Sequence, residues 1–141
     1  MNQTQNTASW NRQVWISAMV AIGGAAYAVA NIPTPGFTKL FLTMAFIFSG
    51  VMCFVLAKYI RDRQAKMKQT PSFKYIAYSG AAVSAAMFFY GVSEMSSQIT
   101  TGANAWTALV VLAWCYLQTT GFSLAKTLRD NFEAGGQTIE E

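Results

Sequence analysis

The sequence predicts an all-α polytopic membrane protein: four transmembrane helices arranged as two parallel hairpin repeats, with both termini in the cytoplasm (N-in/C-in). Three observations lead there. The chain has 141 residues, 53% hydrophobic and only 11% charged, where a soluble domain carries about 25% charged residues. The charges are clustered: nothing between Arg12 and Lys39 is charged, 18 uncharged residues separate Lys39 from Lys58, and 19 separate Lys74 from Glu94. Finally, Ala57-Lys58-Tyr59-Ile60-Arg61-Asp62 returns near the C-terminus as Ala125-Lys126-Thr127-Leu128-Arg129-Asp130. About 20 apolar residues at 1.5 Å each match a hydrocarbon core of ~30 Å, and four such spans with short connections use nearly the whole chain.

Residues 1–9 are polar and read as a flexible cytoplasmic tail. Span 1 runs from about Trp10 to Asn31. Ala28-Val29-Ala30 resembles a signal-peptide cleavage site, but the long apolar run with one cation at its start favours a retained helix. Its small residues Ser17, Ala21, Gly24 and Ala25 let another helix approach closely. Pro33, Pro35 and Gly36 make a turn. Span 2, about Thr38 to Tyr59, is bulky, with Phe41, Phe46, Phe48 and Phe54, and the basic stretch Lys58–Lys74 follows it. Span 3, about Ser72 to Met95, repeats the small-residue habit of span 1, with Gly80 and Ser84 on its packing face. After a turn at 96–102, span 4, about Ala103 to Leu128, is bulky again. The boundaries are a hairpin at 10–66, a second at 67–133, and an acidic disordered tail at 134–141.

Cations set the orientation. Nine of the ten Lys/Arg residues fall on the side of the termini and central loop, and Lys39 alone falls on the other. The same distribution explains the pI of about 9.2 without nucleic acid as a partner, because the cations sit at span ends. Both cysteines, Cys53 and Cys115, lie inside spans and read as small apolar residues. There is no His, which removes the commonest general base and transition-metal ligand. No nucleophile–base pair, metal-ligand cluster or phosphate loop is present, so the reading carries no catalytic residues, no cofactor and no metal.

The two halves align. The span 2 and span 4 ends match at an offset of 68, while Trp10 and Tyr27 match Phe73 and Tyr90 at an offset of 63, the second turn being longer. Each half is a small-residue helix going out, a bulky helix returning, and Ala-Lys-x-apolar-Arg-Asp at the close. These features resemble the YiaAB two-helix-domain proteins of bacterial inner membranes, over about residues 10–133. The outer turns depart from that family's pattern: its Trp-Asn and Lys-Gly-rich turn is reduced to Asn31, and no Lys precedes Gly36. The resemblance implies fold and location, the bacterial inner (cytoplasmic) membrane, and brings no assigned activity.

Three groups are candidates for function. Lys58, Arg61, Asp62, Lys126, Arg129 and Asp130 sit at helix ends, where cations anchor to phosphates and complement the helix dipole. The same six could form a lipid-headgroup or partner docking site built twice. Glu94 is the one acidic residue associated with a span, ~30 Å along its helix from Phe73 and so at the outer interface; Lys39 on that surface is a candidate partner. Gln118 heads a polar patch with Thr119, Thr120 and Ser123, suited to bonds between helices or to a substrate pathway. Trp10, Trp15, Tyr59, Tyr75 and Trp106 read as an interfacial belt. The resulting expectation is a small structural or accessory membrane protein that contacts lipids and forms a homo-oligomer or packs on a larger membrane partner through helices 1 and 3. The alternative is a small oligomeric transporter or channel using Glu94 and Gln118.

Overall fold

A computed structural model describes the backbone of residues 7–140 and side chains as far as Glu133. It contains α1 (Ala8–Asn31), α2 (Gly36–Gln64), α3 (Pro71–Gln98) and α4 (Ala103–Glu140), with no strand among the described residues. All four helices are long and apolar enough to cross a membrane, so this is a small membrane protein.

Local chemistry sets the helix ends. Thr7 caps α1, its side chain accepting from Trp10 N at 3.2 Å. Pro35 precedes α2, and Pro71 opens α3 at a position where a missing N–H costs nothing. At the end of α2, Met67 N donates to Asp62 O and Lys66 N to Arg63 O, at 3.0 and 3.1 Å, which is a Schellman closure. Its left-handed position, φ 56°, is taken by Lys66, although glycine fits there more cheaply.

The helices extend beyond the spans expected from the sequence. α2 continues to Gln64, so Arg61 and Asp62 are helical and the central loop shrinks to residues 65–70. α4 does not stop near Leu128. Its backbone stays helical to Glu140, through most of the segment expected as an acidic disordered tail, whose side chains and Glu141 lie outside the described residues. The i,i+4 pairs Lys126–Asp130 and Arg129–Glu133 support that extra length. Of the expected flexible tail, residues 1–6 lie outside the described residues, and Ala8 and Ser9 belong to α1.

Packing crosses between the hairpins. α1 lies chiefly on α4 and α3 chiefly on α2, while α2 and α4 meet each other in the middle; α1 and α3 do not touch among the described residues. At the end bearing the two short turns, one core joins all four helices: Val29 and Ile32, Leu42 and Phe46, Phe88 and Met95, and Val110. Trp114 stacks on Phe88 at 4.7 Å and 10°, and Phe46 meets Phe88 edge-on at 5.4 Å. Toward the basic end this core gives way to a small cluster, Val14, Ala18 and Leu124, between α1 and α4 alone. Tyr59, expected at the membrane interface, is buried beside Phe73 and Tyr78, and Trp106 packs on the core. The burial of Tyr59 follows from α3 supplying two aromatic neighbours that α2 alone does not reveal.

Small residues matter where another helix arrives. A Cβ on Gly91 would lie 2.9 Å from Leu42 Cδ2 and 3.0 Å from the Phe41 ring, and Leu42 is fully buried. Gly91→Val should therefore lower stability by ~1–3 kcal/mol through overpacking. Lys66→Gly should raise it by up to about 1 kcal/mol by relieving the left-handed position. Thermal unfolding of the purified protein in detergent checks both signs.

Candidate functional site at the basic end

The two Lys-x-x-Arg-Asp segments come together. Within each, Lys and Asp are four residues apart and share a helix face: Lys58 Nζ reaches Asp62 Oδ2 at 2.6 Å, and Lys126 Nζ reaches Asp130 Oδ2 at 3.1 Å. The arginines, one residue earlier than the aspartates, turn toward the other helix. Arg61 Nη2 lies 2.8 Å from Asp130 Oδ1, and Arg129 Nη2 lies 3.1 Å from Asp62 Oδ1. Each aspartate thus gives one oxygen to its own lysine and the other to the opposite arginine. Glu133 spans both arginines, 3.0 Å from Arg61 Nη2 and 3.3 Å from Arg129 Nε.

Exposure decides what this network contributes. Exposed ion pairs add little, about 0–1 kcal/mol. The Asp62 side chain is only 6% exposed, however, against 27% for Asp130. A buried carboxylate without cations is strongly unfavourable, so Lys58 and Arg129 are required where Asp62 sits. Lys58 also lies 5.0 Å above the Phe73 ring, and its own side chain is 58% exposed. Two further contacts close this end: Trp10 Nε1 donates to the buried Thr127 Oγ1 at 3.0 Å, and Asn131 Nδ2 donates to Asn11 Oδ1 at 3.3 Å. Sequence reasoning missed Glu133 and Thr127; the one available signal was the spacing of four between Arg129 and Glu133.

The six candidate docking residues are thus assembled into one site. Its charges already face one another, and the wedge between α2 and α4 beside them, about 840 Å³, has Phe54 and Phe122 in its walls. The candidate packing residues divide. Ala21 and Ala25 are buried, Ser84 is buried with its hydroxyl donating to Ala81 O, and Gly80 lies against Met52. Ser17 is half-buried. Gly24 is exposed, with nothing within 4 Å of a Cβ placed there.

The pathway candidates stand apart. Glu94 is exposed near the turn end of α3. Lys39 Nζ donates to Ala30 O at 3.0 Å, and no ion pair joins it to Glu94 among the described residues. Gln118 lies level with Cys53, whose Sγ contacts its carbonyl at 3.5 Å, and its buried Nε2 has no partner among the described residues. Neither Glu94 nor Gln118 lines either of the two large grooves. No group of three His, Cys, Asp or Glu side chains among the described residues is placed to hold a metal ion.

Burial makes the two arginines unequal. Arg129→Gln strands the more buried carboxylate and should cost about 1–3 kcal/mol; Arg61→Gln, opposite the half-exposed Asp130, should cost under about 1 kcal/mol. Denaturation of both variants and of Arg129→Gln with Asp62→Asn measures the difference and the coupling. Equal losses for the two arginines would contradict the burial argument.

No curated protein and no solved structure matches the chain. Residues 10–62 match the family model described as the yiaA/B two helix domain. The matched stretch runs from the Trp10 that bonds to α4, through α1 and the proline turn, to the Asp62 that receives Arg129. The first hairpin is therefore similar to the yiaA/B two helix domain, and the YiaAB resemblance holds over that hairpin.

Proposed function

We propose that this chain is a small structural or accessory protein of the bacterial inner membrane, with no catalytic activity of its own. Two parallel hairpin repeats, related by an axis along the membrane normal, face the cytoplasm with both termini. The observation that carries this reading is the reciprocal charge network: the ionised groups held between α2 and α4 serve to join the helices. Equivalent contacts recur in both halves, α1 on α4 beside α3 on α2 and Arg61–Asp130 beside Arg129–Asp62, which is what a parallel repeat produces.

Association uses what internal packing leaves free. Ala21 and Ala25 are consumed inside the chain, so a neighbouring helix meets the opposite side of α1, where Gly23 and Gly24 are open and Val20 and Tyr27 are 57% and 72% exposed. Glycines there permit close backbone approach in lipid. One observation favours the transporter alternative, the buried and unpartnered Gln118 amide. It predicts flux into proteoliposomes that Gln118→Leu abolishes.

Native mass spectrometry of the protein released in mild detergent should show more than one 15.4 kDa copy, or a stoichiometric complex with another membrane protein. Gly24→Leu should reduce that assembly. A monomer with nothing bound would sink the association. For orientation, Thr101→Cys should react with an impermeant maleimide in intact cells and Met67→Cys only after permeabilisation; the reverse pattern would overturn N-in/C-in.

A further inference from the structure

The two closing segments of the repeat line one wedge. Lys58 and Arg61 of α2 and Lys126 and Arg129 of α4 face into it, and the alanine and apolar residue of each Ala-Lys-x-apolar-Arg-Asp segment line it with them. Phe54 and Phe122 in its walls are related by the same offset of 68. Two copies of a motif thus build a single site. Its lining holds four cations and one carboxylate, Asp130. Counting the paired Asp62 and Glu133 as well leaves four cations against three anions. Arg63, Lys66 and Lys68, just beyond, enter no ion pair among the described residues. The basic end keeps a positive excess after its internal pairing is complete.

The lysines are the groups that reach outward. Their side chains are 58% and 74% exposed, while the arginines are half-buried between the helices. An ammonium has three donors, and each lysine gives one to its own aspartate. Glu133 shows that a further anion is accepted here, since its exposed carboxylate spans both guanidiniums although each already has an aspartate.

Depth and charge together select the occupant. Phe54 and Phe122 lie one turn before Lys58 and Lys126, within the apolar spans, so the wedge runs from hydrocarbon to the charged interface. A soluble anion or an acidic soluble protein meets only the cations. A phospholipid brings an acyl chain for the rings and a phosphate for the ammoniums in one molecule, and basic pockets between transmembrane helices are sites for anionic headgroups. A second copy inserted the same way up brings an equal excess of cations to this level, and like charges across an interface are unfavourable.

We propose that the α2–α4 wedge binds one anionic phospholipid of the leaflet at the basic end, its phosphate on Lys58 and Lys126 and an acyl chain against Phe54 and Phe122. Glu133 is then a competing anion at the rim and limits how tightly the lipid is held.

The test is native mass spectrometry of the full chain titrated with phosphatidylglycerol or phosphatidylcholine. One phosphatidylglycerol should be retained, preferred about tenfold, the factor that one charged hydrogen bond supplies, and an excess of inorganic phosphate should not displace it. Lys126→Gln should remove most of that preference. Glu133→Gln should tighten retention severalfold, whereas a carboxylate that only joins helices would loosen the site when neutralised. Ala125→Trp fills the wedge from α4 and should abolish retention, with thermal unfolding confirming that each variant folds. The proposal is overturned if both lipids are held equally, if phosphate displaces the lipid, or if Lys126→Gln keeps the full preference. It is equally overturned if Glu133→Gln weakens binding, if folded Ala125→Trp retains lipid as the wild type does, or if Ala125→Trp dissolves a dimer instead.

Discussion

The structure depends on a carboxylate that cannot be left alone. Asp62 is almost fully buried where the apolar core has already thinned, and an anion there requires cations on two sides. Lys58 supplies one from the preceding turn; the other must come from a different helix, and Arg129 supplies it. That requirement fixes which helix lies beside α2 and its axial register, because a slip of one residue on α4 would rotate Arg129 by about 100° away from Asp62. Arg61 and Asp130 repeat the constraint in the other direction. Hydrophobic packing alone would not settle this register, since lipid solvates apolar side chains as well as a neighbouring helix does.

From this follows the exchange of partners between hairpins. With α2 and α4 locked together, α1 and α3 are left on opposite flanks, and each finds its main surface on the other hairpin's returning helix. The turns hold each hairpin together covalently, but the side-chain contacts hold the two hairpins to each other. At the turn end a four-helix core with the Phe88–Trp114 stack does this. At the basic end charges and the Trp10–Thr127 bond do. An isolated first hairpin would lose the α4 surface on which α1 lies and the cation opposite Asp62.

Much of this was legible in the sequence, and the limits have physical causes. Four spans could be read because charge is expelled from the hydrocarbon core, so the gaps between Lys39, Lys58, Lys74 and Glu94 mark them directly. The recurrence of Lys-x-x-Arg-Asp was plain, and a spacing of four puts Lys58 and Asp62 on one helix face. The partner of each arginine was not, because periodicity tells which face a side chain occupies and not which helix faces it. For the same reason Tyr59 read as a belt residue, although Phe73 and Tyr78 bury it. Glycines show the limit most clearly. Gly24 and Gly91 look alike in a string of letters, yet one faces open space and the other lies under Leu42 and Phe41.

The two hairpins share their ends and differ in their interiors, and that contrast separates frame from fitting. The Ala-Lys-x-apolar-Arg-Asp segments make matching contacts in both halves, because each needs the other to neutralise its charges; altering one alone strands a buried or half-buried ion. No such reciprocity binds the middle of the bundle. There, alanines in the first half stand against aromatic rings in the second, and either choice leaves α2 and α4 joined as before. Ala26 can therefore stand beside an open groove without loosening the charge network, while Phe88 joins the four-helix core that Ala25 also enters. A bundle clamped at its ends is free to vary its centre, because a change of size there strands no ion.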